Sequence, residues 1–95
     1  MFKWLNKQGV ESEAGFVLQR TGRFTCEYIE GGCSLELEVE SGLMGDTPCI
    51  SIARNAFSQW RGALLGGETL AEQEARLIKN FKDAMTFQGL AVAIY

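Results

Sequence analysis

The sequence has no histidine among its 95 residues and only one proline, Pro48. Histidine is the side chain that most often serves as a general base or metal ligand near neutral pH. Without it, a Ser–His or Cys–His nucleophile is excluded within this chain. The phosphate-binding loop, the dinucleotide-binding glycine pattern and the spacing of zinc ligands are missing as well. We therefore predict that the protein is not an enzyme and that it holds no cofactor or metal ion.

Basic residues are missing from residues 24–53, which contain six acidic residues and no lysine or arginine. The remaining 65 residues have nine basic and six acidic residues, so they carry a net charge of +3, whereas the whole chain carries −3. An acidic segment repels phosphates and attracts basic proteins. This charge distribution predicts a basic protein partner and no direct binding of nucleic acid.

Long apolar runs are missing too, since no stretch approaches the roughly 18–20 residues that a membrane-spanning helix needs. The start, MFKWLNKQ, lacks the hydrophobic stretch and the small-residue cleavage site of a secretory signal. The three cysteines (Cys26, Cys33 and Cys49) are an odd number without CxxC spacing, which is typical of a reducing compartment. We expect a cytoplasmic protein with no membrane association.

Residues 25–40, TCEYIEGGCSLELEVE, predict a β-hairpin, because Gly31 and Gly32 can both adopt the positive φ of a two-residue turn. The register of this turn sorts the side chains onto two faces. The apolar face is expected to hold Phe24, Cys26, Tyr28, Leu35, Leu37 and Val39. The opposite face is expected to be acidic and to hold Glu27, Glu36, Glu38 and Glu40, with Glu27 directly opposite Glu36.

The clearest helix is predicted to begin at the capping box of Thr69 and Glu72, and to end before Gly89. Its apolar residues recur at helical spacing, and Glu72 and Arg76 are expected to form an i,i+4 ion pair. A strand is predicted in residues 15–22 and another in residues 49–53. A third, in residues 90–95, is expected at the centre of the sheet because it is entirely apolar.

Two segments are predicted to lie outside the regular elements. Residues 41–48 read as a loop, and residues 1–15 as a polar lead-in. The chain is then a single domain, residues 1–95, with its core in residues 16–95. The expected fold is α+β, a mainly antiparallel sheet with one long C-terminal helix packed on one face as a two-layer sandwich.

The acidic face has several interpretations. Like charges directly opposite each other cost stability, so Glu27 and Glu36 favour a surface that binds a basic protein. A plain solvated face stays open, since the exposed side of an antiparallel sheet is commonly polar. An acid–base carboxylate pair and a calcium site are further alternatives.

Trp60 and Arg61 form a second candidate. They follow Phe57 in a glycine-flanked segment without clear periodicity. This segment either anchors a loop onto the core or presents an aromatic and arginine cluster to a partner, since these residue types are enriched in binding hot spots.

The order of these segments resembles small immunity proteins of bacterial polymorphic-toxin and contact-dependent inhibition systems. The resemblance covers residues 16–95. It rests on the EYIEGG hairpin followed by LELEVE, a short ISI strand, the aromatic stretch ending in Trp60, and LIKNFKDAMTFQGLAVAIY. In the relatives the tryptophan is usually followed by an acidic residue and a proline, where Arg61 and Gly62 stand here.

The resemblance implies a cytoplasmic inhibitor that binds one toxin domain and blocks its active site. Many such toxins are nucleases with a basic substrate groove, which an acidic sheet face would match. The partner-binding residues would then be Glu27, Glu36, Glu38, Glu40, Trp60 and Arg61. The alternative is a homo-oligomeric structural or regulatory module with no toxin partner, and a homodimer stays open under either hypothesis.

Overall fold

The computed structural model describes residues 1–95 and contains seven strands and one α-helix. The strands are β1 (Phe2–Asn6), β2 (Gly9–Ser12), β3 (Phe16–Gly22), β4 (Thr25–Glu30), β5 (Cys33–Met44), β6 (Thr47–Ile52) and β7 (Ala91–Ile94). A short 3-10 turn, Ala56–Gln59, and the helix α1, Leu70–Phe87, lie between β6 and β7. The predicted α+β class is therefore correct.

All seven strands belong to one sheet, in the order in which they occur along the chain. Neighbouring strands are antiparallel except β7, which runs parallel to β6. The predicted two-layer sandwich is not confirmed, because the sheet curls into a half-barrel. The expectation of a central last strand is wrong, since β7 is at the edge of the sheet.

The hairpin of β4 and β5 has the predicted register, from Thr25 opposite Glu38 to Glu30 opposite Cys33. Gly31 and Gly32 adopt φ values of 58° and 83°, which only glycine tolerates easily. One residue departs from the prediction. Phe24 lies before β4, and its side chain is 55% exposed, although its carbonyl accepts a hydrogen bond from the Val39 N–H.

Two segments are more regular than expected. Residues 41–48 were predicted as a loop, but β5 continues to Met44 and pairs with β6 through a tight turn at Gly45, where φ is 63°. The segment expected as a polar lead-in forms β1 and β2, which extend the sheet beyond β3. Val10 of β2 is fully buried, so this hairpin contributes to the core.

Helix α1 begins as predicted, with Thr69 accepting a hydrogen bond from the Glu72 N–H while the Glu72 carboxylate accepts one from the Thr69 N–H. Gly89 follows the helix with a φ of 82°. The helix buries one face against the sheet in a cluster with the strands. Its buried apolar residues are Leu77, Phe81, Ala84 and Met85.

A polar network joins α1 to β4 beside this cluster. The expected pairing of Glu72 with Arg76 is wrong, because Arg76 binds Glu30 and Glu68 instead. The Tyr28 hydroxyl donates to Glu30 and accepts from the Asn80 amide. Burial raises the pKa of Tyr28, so the phenol stays neutral within the network.

Candidate functional site

The acidic face of the sheet is the first predicted site, and here it denotes Glu27, Glu36, Glu38 and Glu40. Glu27 lies directly opposite Glu36 and is half-buried, whereas the three glutamates of β5 are exposed. None of the four takes part in a salt bridge or a side-chain hydrogen bond. The face therefore presents uncompensated negative charge to solvent.

Glu30 differs from the four glutamates of the acidic face because its charge is neutralised by an arginine. It ends β4, and its carboxylate lies 2.6 Å from Arg76 Nη1. The same guanidinium donates to Glu68, and this hydrogen bond holds the pKa of Glu68 below its ordinary value. The chain thus provides an arginine for two part-buried carboxylates and none for the acidic face.

Small side chains lie beside the acidic face on the next two strands. Glu40 pairs with Ser51 of β6, and Ser51 pairs with Ala93 of β7. Ala53, which follows β6, lies with Glu36 and Glu38 in a concavity of about 260 Å³. Because serine and alanine barely rise above the sheet, a trough remains beside the glutamates.

Two exposed aromatic side chains border this trough. A second concavity, of about 440 Å³, is lined by Glu38, Glu40, Phe24 and Tyr95, and Tyr95 and Glu38 line the first one as well. The exposed fractions of Phe24 and Tyr95 are 55% and 66%. The sequence placed Phe24 on the apolar face and did not single out Tyr95. Side chains alternate along β7, so Tyr95, two residues after Ala93, lies on the same face of the sheet as Ala93.

Trp60 and Arg61 lie elsewhere. Trp60 is only 7% exposed and packs edge-on against Tyr28, with ring centroids 5.3 Å apart. Arg61 is exposed, and its guanidinium donates to the carbonyls of Ser58 and Trp60. Both residues line a concavity of about 330 Å³ against α1, not the trough. The structure thus brings Glu36, Glu38 and Glu40 together without these two.

The arrangement of titratable groups does not resemble a metal or thiol site. No three His, Cys, Asp or Glu side chains come together in a geometry that could hold a metal ion. All three cysteines are free, and burial raises the pKa of the Cys26 thiol, which makes its thiolate scarce. The chemistry that the acidic trough offers is the attraction of positively charged groups.

Helix α1 is not apolar enough to cross a bilayer, and the fold has no other α-helix. Comparison with protein-family models, with curated proteins and with solved structures gives no match. The acidic face and the trough are therefore the features of this protein that indicate a function.

Proposed function

We propose that the protein is an immunity protein, a non-enzymatic inhibitor that binds a basic bacterial toxin domain in the cytoplasm and blocks it. The single observation that carries this proposal is the acidic face, four glutamates without an ion-pair partner beside a trough with exposed aromatic borders. A nuclease toxin fits best, because its substrate groove must itself be basic to hold phosphates.

The trough explains how a basic side chain would be held. A lysine or arginine that enters it meets Glu38 together with Glu36 or Glu40, and it can lie over the Tyr95 ring in a cation–π contact. Phe24 already has the Arg23 guanidinium 5.2 Å from its ring centroid, so the border of the trough accommodates this geometry. Complementary charge would also speed association with the toxin and exclude acidic competitors.

The test is capture of the partner from the native host, with this protein as bait at low and at high salt. Glu36→Lys combined with Glu38→Lys reverses the acidic face. Glu13→Lys combined with Glu74→Lys makes the same change in net charge at two exposed glutamates outside it. We expect capture of one basic domain, lost with the first pair and kept with the second. Equal capture by both double variants would refute the acidic face as the inhibitory surface.

A homo-oligomeric module is the second candidate, favoured by a different surface. Trp4 of β1 contacts Phe87 at the end of α1, with ring centroids 5.8 Å apart, yet the two side chains are 50% and 42% exposed. Leu5, the residue after Trp4, is 46% exposed. Size-exclusion chromatography across a salt series separates the candidates, because apolar self-association persists at high salt and charge-driven binding does not.

A further inference from the structure

The two edges of the sheet are protected very differently. The edge strand β1 carries Lys3, and its register with β2 shifts between Trp4 and Asn6. Lysines and bulges on an edge prevent another strand from pairing with it. The opposite edge strand, β7, has the sequence AVAI, with no charge, no proline and no register shift against β6.

The backbone of β7 shows which groups face outward. Tyr95 uses both its N–H and its carbonyl towards the β6 side, through Ile52 and Arg54. In a parallel ladder alternate residues bond to the same neighbour. Ala91 and Ala93 therefore face β6, while Val92 and Ile94 direct two N–H and two C=O groups to the open edge. An extended chain beside β7 would satisfy all four groups.

This edge is continuous with the proposed binding surface. Ala93 lies in one row with Ser51 and Glu40, and Tyr95 lines both concavities of the trough. A strand added to β7 would place alternate side chains on the same side of the sheet as the glutamates. Its other side chains would lie beside Val92 and Ile94, which pack against the core.

We propose that β7 is the docking edge for an extended segment of the basic partner, with basic and apolar side chains alternating along it. This inference rests on the proposed function and specifies how the partner binds. A four-residue strand spans only about 13 Å, so the edge alone is too small for a stable interface. A basic partner can contact the adjoining acidic face as well, which enlarges the interface. A second copy of this chain would bring another acidic surface to the same side of the sheet, and the two surfaces would repel each other.

The experiment uses a synthetic peptide of alternating lysine and valine as the probe. Its control is the same peptide N-methylated at every residue, which keeps every side chain and charge but has no backbone N–H with which to pair along either edge. Exchange of the backbone amides is followed by NMR on the full chain. We expect the unmodified peptide to slow exchange at Val92 and Ile94 by at least about tenfold, and to bind about tenfold more tightly than its control.

A variant that lacks one outward backbone N–H of β7 tests the same docking edge from the side of the protein. Val92→Pro removes one outward N–H and no bond to β6, and proline is tolerated in edge strands at such positions. We expect it to fold and to lose the preference for the unmodified peptide.

Equal binding of both peptides, lost when Glu36 and Glu38 become lysine, would overturn the docking edge while leaving the acidic face in place. No binding of either peptide at low salt would overturn the edge and also count against the acidic face. If the amides of Val92 and Ile94 exchange slowly without peptide, and exchange more slowly as the protein concentration rises, two copies pair through β7. That result would overturn β7 as the docking edge for a basic partner.

Discussion

Arg76 on the helix holds Glu30 of β4 with a nitrogen-to-oxygen distance of 2.6 Å, and the two residues are 46 positions apart in the chain. Their side chains are 20% and 14% exposed, so the contact is partly buried. The same guanidinium reaches Glu68 in the segment before α1. This arginine therefore ties the helix and its preceding loop to the sheet.

Replacing Arg76 with methionine should destabilise the fold. The change leaves the part-buried Glu30 and Glu68 without their cation. Loss of the charged hydrogen bonds to Glu30, discounted for partial exposure, should cost on the order of 1–2 kcal/mol. Urea unfolding measures the loss. Lys82→Met on the same helix is the control, because Lys82 is exposed and has no ion-pair partner, and its effect should stay within about 0.5 kcal/mol. Equal midpoints for both variants would contradict the role of Arg76.

The stability of the protein should fall in acid partly through Glu68. Its pKa in the folded state lies below the ordinary value of 4.5, because the carboxylate accepts hydrogen bonds from Arg76. The stabilisation is therefore present above about pH 4.5 and is lost as the pH falls through the folded pKa. Thermal unfolding between pH 6 and pH 3 should show a shallower decline for Glu68→Gln. A parallel decline in both proteins would exclude Glu68 as a contributor.

Gly62 should not tolerate a side chain. A Cβ there would come within 2.5 Å of the Trp60 indole, and Gln73 holds the Gly62 carbonyl in place. Gly62→Ala should therefore cost about 1–3 kcal/mol and change the fluorescence of Trp60. Gly42→Ala is the matched control, since a Cβ at Gly42 meets no atom within 4 Å. Wild-type urea midpoints for both variants would rule out a steric clash between a side chain at position 62 and Trp60.

Reversing one charge on the acidic face should stabilise the protein. Glu27 and Glu36 lie directly opposite each other, and Glu36→Lys replaces repulsion with attraction, a gain of about 0.2–1 kcal/mol. Added salt should reduce the difference in stability between Glu36→Lys and the wild-type protein, because it screens the charges. Ser34→Lys serves as the comparison, because Ser34 is on the same strand and face but faces Ile29. A stability gain that is the same for both lysines would argue against a repulsive glutamate pair.

Short sequence motifs correctly predicted the elements whose turn or first residue they determine. The glycine pair fixed the hairpin of β4 and β5, and the capping box at Thr69 fixed the start of α1. The edge position of β7 depends instead on where the helix returns the chain, which its apolar sequence does not specify. Likewise, β1 is a strand because it pairs with β2 and because Phe2 contacts Phe16, and neither contact can be read from the short segment FKWLN.

The candidate site was foreseen only in part for the same reason. Alternation along β5 was enough to place Glu36, Glu38 and Glu40 on one face. The trough beside them arises from Ala53 and Tyr95, which are brought there by the pairing of β6 with β7. The long-range contact of Trp60 with Tyr28 decided that the tryptophan is buried, and no spacing pattern in the segment encodes it.

The strand order has a consequence for how the chain folds. Each strand from β1 to β6 pairs with its immediate neighbour along the chain, so these pairings close short loops. The pairing of β6 with β7 joins Cys49 to Ala91, 42 residues apart. Contacts so distant in sequence carry the larger entropic cost of loop closure and form slowly. We expect β7 to join the sheet last, after α1 has docked, so the trough is completed only in the final folding step.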